Sequence, residues 1–259
     1  MSHGDAQTEL AADGREQVSA SVSATVPPVT WRAFLKGHSF DPELLVEQFD
    51  RGRARVMRSG DEFWLASPSF DQLPDASAVQ TVARKLLGEV NGAAKLIDGS
   101  FRAVELQDRF SDGTGVHAVL ASGTAGARSR MNTGTVVIRD AQGTVVPPTP
   151  TPTKAPAYLD TADRHPAARE VLQMLSDDHP DWFALFKVKE VVEADAGGLG
   201  AFATKNEISA FGASANNPDV SGQAARHARH KGSAPRHSMT IDEGRTLIRR
   251  VVQGWLAAK

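Results

Sequence analysis

The feature that most restricts this chain is the run Pro147-Pro148-Thr149-Pro150-Thr151-Pro152, four prolines in six residues. Each proline fixes φ at about −65° and removes a backbone N–H donor. Such a run enters neither helix nor sheet, and an extended polyproline II spacer is expected over residues 148–156. The hydrophobic pattern changes on crossing it. Before the run, apolar residues alternate in short stretches separated by glycine-containing turns; after it they recur at three- and four-residue spacing. The expectation is an α+β protein, with an α+β domain over residues 29–147 and a helical bundle domain over residues 157–259.

The first half opens with residues 1–28, polar and rich in Ser, Ala and Gly, which read as a disordered tail. Asp41-Pro42-Glu43 is a helix start, with Asp41 as N-cap and Pro42 at the first helical position. Arg55-Val56-Met57-Arg58 and Phe63-Trp64-Leu65-Ala66 flank Ser59-Gly60-Asp61, the pattern of a hairpin. Asp75 should cap a long helix whose buried face carries Val79, Val82, Leu86, Leu87, Val90, Ala94 and Ile97. Gly88 and Gly92 weaken that helix, and they also permit close approach of a neighbouring backbone. Strands are expected over residues 101–110, 116–122, 128–139 and 144–146. Short turns between strands favour an antiparallel sheet with the long helix packed on one face.

In the second half, Pro166 should open a helix through Val171, Leu172 and Leu175, and Asp181 another that Gly197-Gly198 ends. Thr204 with Glu207, and Thr240 with Glu243, have the spacing of capping boxes. The last helix carries the stripe Leu247, Ile248, Val251, Val252, Trp255 and Leu256. A short helix is expected over residues 221–231.

The chain has no cysteine, which excludes disulfides, thiolate nucleophiles and cysteine-ligated metals. The N-terminal stretch lacks the basic-then-apolar order of a secretory signal, and no run is apolar enough to span a membrane, so a soluble cytoplasmic protein is expected. The net charge of −2 gives no overall field for nucleic acid, so any such contact needs a local patch. The patch in the sequence is Arg226-His227-Ala228-Arg229-His230-Lys231 with Arg236-His237; no acid lies between Val220 and Asp242. Three readings compete: a solvated structural face, a binding site for anions or nucleic acid, and a metal site. On a helix Arg226, Arg229 and His230 share a face, a spacing that could follow phosphates. The anion-binding candidates are therefore Arg226, His227, Arg229, His230, Lys231 and Arg236. His227 and His230, with His237 or Asp242, would be the metal ligands, but their spacing is not a zinc pattern and the neighbouring cations repel a metal. No metal and no cofactor is expected.

The stretch from Ala215-Asn216 to Leu256, with a helix bearing Arg226-His227, a proline-containing loop and a final amphipathic helix, resembles the end of a HEPN-type helical domain. The Phe186-Lys187-Val188-Lys189-Glu190 helix is similar to an earlier helix of such bundles. The resemblance implies a bundle of four or five helices, and in many members a metal-independent RNase. There an arginine stabilises the charged phosphorane and a histidine four to six residues on moves the 2′-hydroxyl proton. Arg226 and His230, with three residues between them, stand closest to that pair. Two functional expectations follow: a non-enzymatic binding or accessory module in bacterial stress or defence, or a HEPN-like RNase or nucleic-acid-binding protein using the region from Arg226 to His237. An RNA or protein partner, and a homodimer through the helical half, are the partners to expect.

Overall fold

The computed structural model describes residues 31–38, 40–119, 154–225 and 238–259. The protein has an α+β fold, an N-terminal antiparallel sheet with a long helix packed on it, followed by helices. The strands are β1 (Arg32–Lys36), β2 (Arg55–Ser59), β3 (Glu62–Ala66), β4 (Glu105–Ser111) and β5 (Val116–Ala118), in the order β2-β3-β1-β4-β5. The β2–β3 hairpin turns on Gly60-Asp61, with Gly60 at φ +58°, the conformation that favours glycine there. β1 therefore sits at the centre, and its partner β4 carries extra residues opposite Phe34, where the register shifts between Ala33 and Leu35. The strands expected over residues 128–139 and 144–146 lie outside the described residues, as does most of the proline run.

The structure departs from the sequence expectation at two helix starts. Helix α1 (Phe40–Gln48) begins before Asp41, which is not its cap. The Asp41 carboxylate instead accepts from the Arg102 amide at 3.1 Å and Nε at 2.9 Å, fastening α1 to the chain ahead of β4. Helix α3 (Ala155–Arg164) starts inside the expected spacer, and Pro156 serves its first turn.

Helix α2 (Ala76–Ile97) is capped by Asp75, whose Oδ1 accepts from the Ala78 amide at 2.9 Å. From Glu89 to Ala94 every residue of α2 is buried, so the helix has no solvent face there. One side meets β1 and β4. The other meets α3 and α4 (Pro166–Leu175). A Cβ on Gly92 would stand 2.9 Å from Leu172 Cα and closer still to its carbonyl, so α4 rests directly on the α2 backbone. The core is accordingly continuous, running from Ala33, Leu35 and Leu65 through Val90 to Leu172, Leu185 and Ile248.

Polar groups inside this core are paired. Buried Asn91 satisfies both peptide groups of Val104, donating to its carbonyl at 2.9 Å and accepting from its amide at 3.1 Å. Buried Glu89 receives Arg53, with Arg169 Nε 3.7 Å away, and Arg53 Nε also reaches Leu159 O at 3.1 Å. One carboxylate thus joins α2 to the start of the hairpin and to α3 and α4.

The remaining helices are α5 (Trp182–Ala196), α6 (Lys205–Asn216), the single turn α7 (Pro218–Ser221) and α8 (Ile241–Ala257). Their ends follow the sequence. Asp181 caps α5, Gly197 closes it at φ +69°, and both capping boxes form. Glycines again set the spacing: Gly244 lies under the Trp182 ring and Gly254 beside Phe202. No helix among the described residues is long and apolar enough to cross a membrane.

Gly92→Ala should cost about 2–3 kcal/mol in urea unfolding, because the new methyl meets backbone that cannot step aside. Gly88→Ala meets only Gln173 Cγ at 3.8 Å, and should gain about 0.5–1 kcal/mol from helix propensity. The pH dependence offers a second check. Arg250 and the Thr204 amide and hydroxyl hold the Glu207 carboxyl at about 2, against 4.5 ordinarily. A depressed carboxyl contributes stability above its unfolded value that is lost as pH falls through its folded one. Acid unfolding between pH 4.5 and about 2 should therefore be less steep in Glu207→Gln than in the unaltered protein.

Candidate functional site

Arg226, His227, Arg229, His230, Lys231, Arg236 and His237 lie outside the described residues, and with them most of the short helix expected over residues 221–231. The described chain stops on one side at Ala225, after α7 and a 3₁₀ turn, and resumes at Ser238. Another concentration of arginines lies on the sheet.

Side chains alternate between the two faces of a strand, and the register assigns them. Ala33, Leu35, Val56, Leu65 and Phe110 point into the core under α1 and α2. The opposite face holds Arg32, Phe34 and Lys36 of β1, Trp64 and Ala66 of β3, Arg55 and Met57 of β2, Arg109 of β4 and Val116 of β5. Phe34, Trp64 and Ala66 form a buried cluster separate from the main core. The two rings stand 6.4 Å apart and tilted.

Arginines lie on these rings. Arg32 Cζ is 5.1 Å from the Trp64 centroid, and Arg109 Cζ is 3.8 Å from that of Phe34. Arg109 reaches across β1 to Glu62 on β3 at 2.5 Å. A guanidinium over an aromatic face is held by the ring quadrupole and is weakly hydrated, which lets it sit flat on an apolar surface. Two donors on this face have no use within the fold: Arg55 Nη2 and Arg109 Nε are shut from solvent and have no hydrogen-bond partner. An unsatisfied buried donor costs about 1–3 kcal/mol. Lys36 pairs with Glu105 at 3.0 Å. Around these groups Met57 is 41% and Val116 63% exposed, so apolar surface adjoins the cations.

Further ionisable groups have structural partners. His117 stacks at 5.4 Å on Trp31 and meets Asp112 Oδ2 at 3.0 Å. The Thr114 hydroxyl and the amides of Thr114 and Gly115 hold the Asp112 carboxyl far below the usual range, so the loop is a closed turn. His38 stacks on Phe40, and Lys187 lies over Phe183. Asp177 accepts from the His179 amide, as helix-end chemistry requires. Asp178 does more: it receives Lys95 at 2.8 Å and the Ala103 amide at 2.6 Å, tying the end of α4 to the sheet half. Among the described residues no group of three or more His, Asp and Glu is placed to hold a metal.

No family model, curated protein or solved structure matches this chain. The reading of its function rests on the chemistry of the site.

The sequence marked the arginine-rich stretch after Ala225 and passed over the sheet face. The signal there was parity: Arg32 and Phe34, and Arg55 and Met57, are spaced by two. Arg109→Ala should cost about 1 kcal/mol in urea unfolding, combining the ring contact with a partly exposed ion pair. It should also red-shift the tryptophan emission if the loss loosens the packing around Trp64.

Proposed function

We propose that this protein is a non-enzymatic binding module that carries a single-stranded nucleic acid segment across the outer face of its sheet. The observation that supports the reading is the stacking of Arg32 and Arg109 on aromatic rings of that face, with Arg55 beside them and Arg55 Nη2 and Arg109 Nε left without a partner in the fold. A phosphate oxygen is the acceptor an arginine fork matches, and a base stacks on a guanidinium plane as it does on a ring. Arg32, Arg55 and Arg109 supply positive charge locally in a chain whose net charge is −2. Cations interleaved with apolar and aromatic groups favour a nucleic acid over a purely acidic protein. The HEPN-like reading of residues 215–256 would place the module in bacterial stress or defence. It rests on the order of helices there, since Arg226 and His230 are not among the described residues.

The test is fluorescence anisotropy with a short oligouridylate, titrated between about 50 and 200 mM salt. Three phosphate contacts through Arg32, Arg55 and Arg109 give a log–log slope of about −2 on a single strand. Arg32→Ala and Arg55→Ala should each reduce that slope by about 0.7. Absent or salt-independent binding would sink the proposal. Loss of binding in Arg226→Ala with Arg229→Ala, while the sheet variants bind normally, would move the contact to the basic segment. Binding of polyglutamate without RNA would replace the nucleic acid by an acidic protein.

A further inference from the structure

Where the two halves meet, the end of α2 and the chain after it face the start of α5 and one side of α8. A cleft of about 80 Å³ opens there, lined among others by Lys95, Gly99, Asp177, Asp178, Arg245 and Arg249. At about 30 Å³ per water, it has room for two or three waters or for one small oxyanion.

The charges in the cleft are unequally spent. Lys95 donates to Asp178 and to the carbonyls of Ser176 and Asp177, which uses all three of its protons. Burial pulls its ammonium below the usual lysine range, and Arg245 adds to the depression while Asp178 opposes it. Asp177 serves the His179 amide, and Asp178 serves Lys95 and the Ala103 amide. Arg245 gives Nε to Pro180 O at 3.1 Å and Nη1 to Asp242 at 2.9 Å. Arg249, one turn further along α8, makes no hydrogen bond or ion pair with the described residues. Its guanidinium rests on Gly99, where a Cβ would collide with it. Like charges at this helical spacing repel, and here a third cation, Lys95, stands in the same cleft. The three cations stand against Asp177, Asp178 and Asp242, but the fold leaves the fork-shaped donor set of Arg249 without a partner, facing the space between them.

We propose that this cleft binds a small oxyanion, a phosphate group or a carboxylate, held by the free Arg249 fork and the remaining Nη2 of Arg245. A guanidinium meets either group through two parallel N–H···O bonds. Lys95 and Asp178 position the wall of the site and make no ligand contact. The site lies away from the outer sheet face and is independent of the nucleic-acid reading.

The experiment is thermal unfolding of the full chain with inorganic phosphate or acetate, against chloride at equal ionic strength. A ligand that binds only the folded state raises the midpoint in step with its concentration over its dissociation constant. The expected result is a saturable rise with at least one of the two anions. Saturation by phosphate alone assigns a phosphate group, and saturation by acetate alone a carboxylate. Arg249→Ala should weaken the apparent affinity about tenfold or more. Gly99→Ala should do the same with every cation still present, because its methyl displaces the guanidinium. That backbone is not in the left-handed region, and its one close neighbour is the end of a flexible side chain, so the variant should fold. Circular dichroism checks both variants. A rise that does not saturate, or that is unchanged in both variants, is general salt exclusion from the surface and overturns the proposal. So does the absence of any anion-specific rise.

Discussion

The structure depends on one crossing, that of α4 over α2 at Gly92. A helix with any other residue at this point would hold Leu172 off by the thickness of a methyl group. Backbone-to-backbone approach closes the gap between the layers. It brings Ala168 and Val171 within reach of the inner helix and encloses α2 between sheet and bundle. Once α2 is enclosed, its polar residues must be answered from within. That is the reason Asn91 takes both peptide groups of Val104 and Glu89 takes two arginines. Polar ties and close packing are thus two consequences of the same contact.

Arginine appears in this fold in two conditions. Arg53 and Arg102 are spent on carboxylates and carbonyls that join distant parts of the chain. Arg55 and Arg109 on the sheet face, and Arg249 in its cleft, keep donors that no group of the fold uses. The distinction is invisible in a composition that counts 29 basic against 31 acidic residues. It is a property of where the backbone carries each side chain, and it separates the cations that hold the fold together from those that can hold something else.

Local signals were legible in the sequence and long-range ones were not. Asp75, Asp181, the two threonine–glutamate boxes and the Gly60 turn act within a few residues, and each stands where the spacing placed it. Gly92 was readable as a site of close approach, though not as the partner of Leu172, eighty residues away. Asp41 looked like a cap because Pro42 follows it, but Arg102 competes for the same carboxylate from across the fold. α3 escaped notice because Pro156 continues the proline pattern, while in the structure it occupies the first turn, where a missing N–H costs nothing. The arginine face requires strand register: with Ala33 opposite Phe110, Arg109 falls on the side of Phe34. Similarly, the Arg249 cleft is built from three segments that no local pattern connects.

The enclosure of α2 also bears on the order in which the chain acquires its structure. During synthesis the five described strands and α2 leave the ribosome before α4 exists. Until then the side of α2 that includes Gly88 and Gly92, which rests on Leu172 and Gln173 of α4, lacks its cover. Pairing within the sheet is available early, but the contact that closes the core spans about eighty residues, and loop closure over such a distance is slow. The proline run falls within that interval. A half-made chain is therefore at its most adhesive just before α4 arrives, and that interval is when chaperone contact or misassembly would be decided.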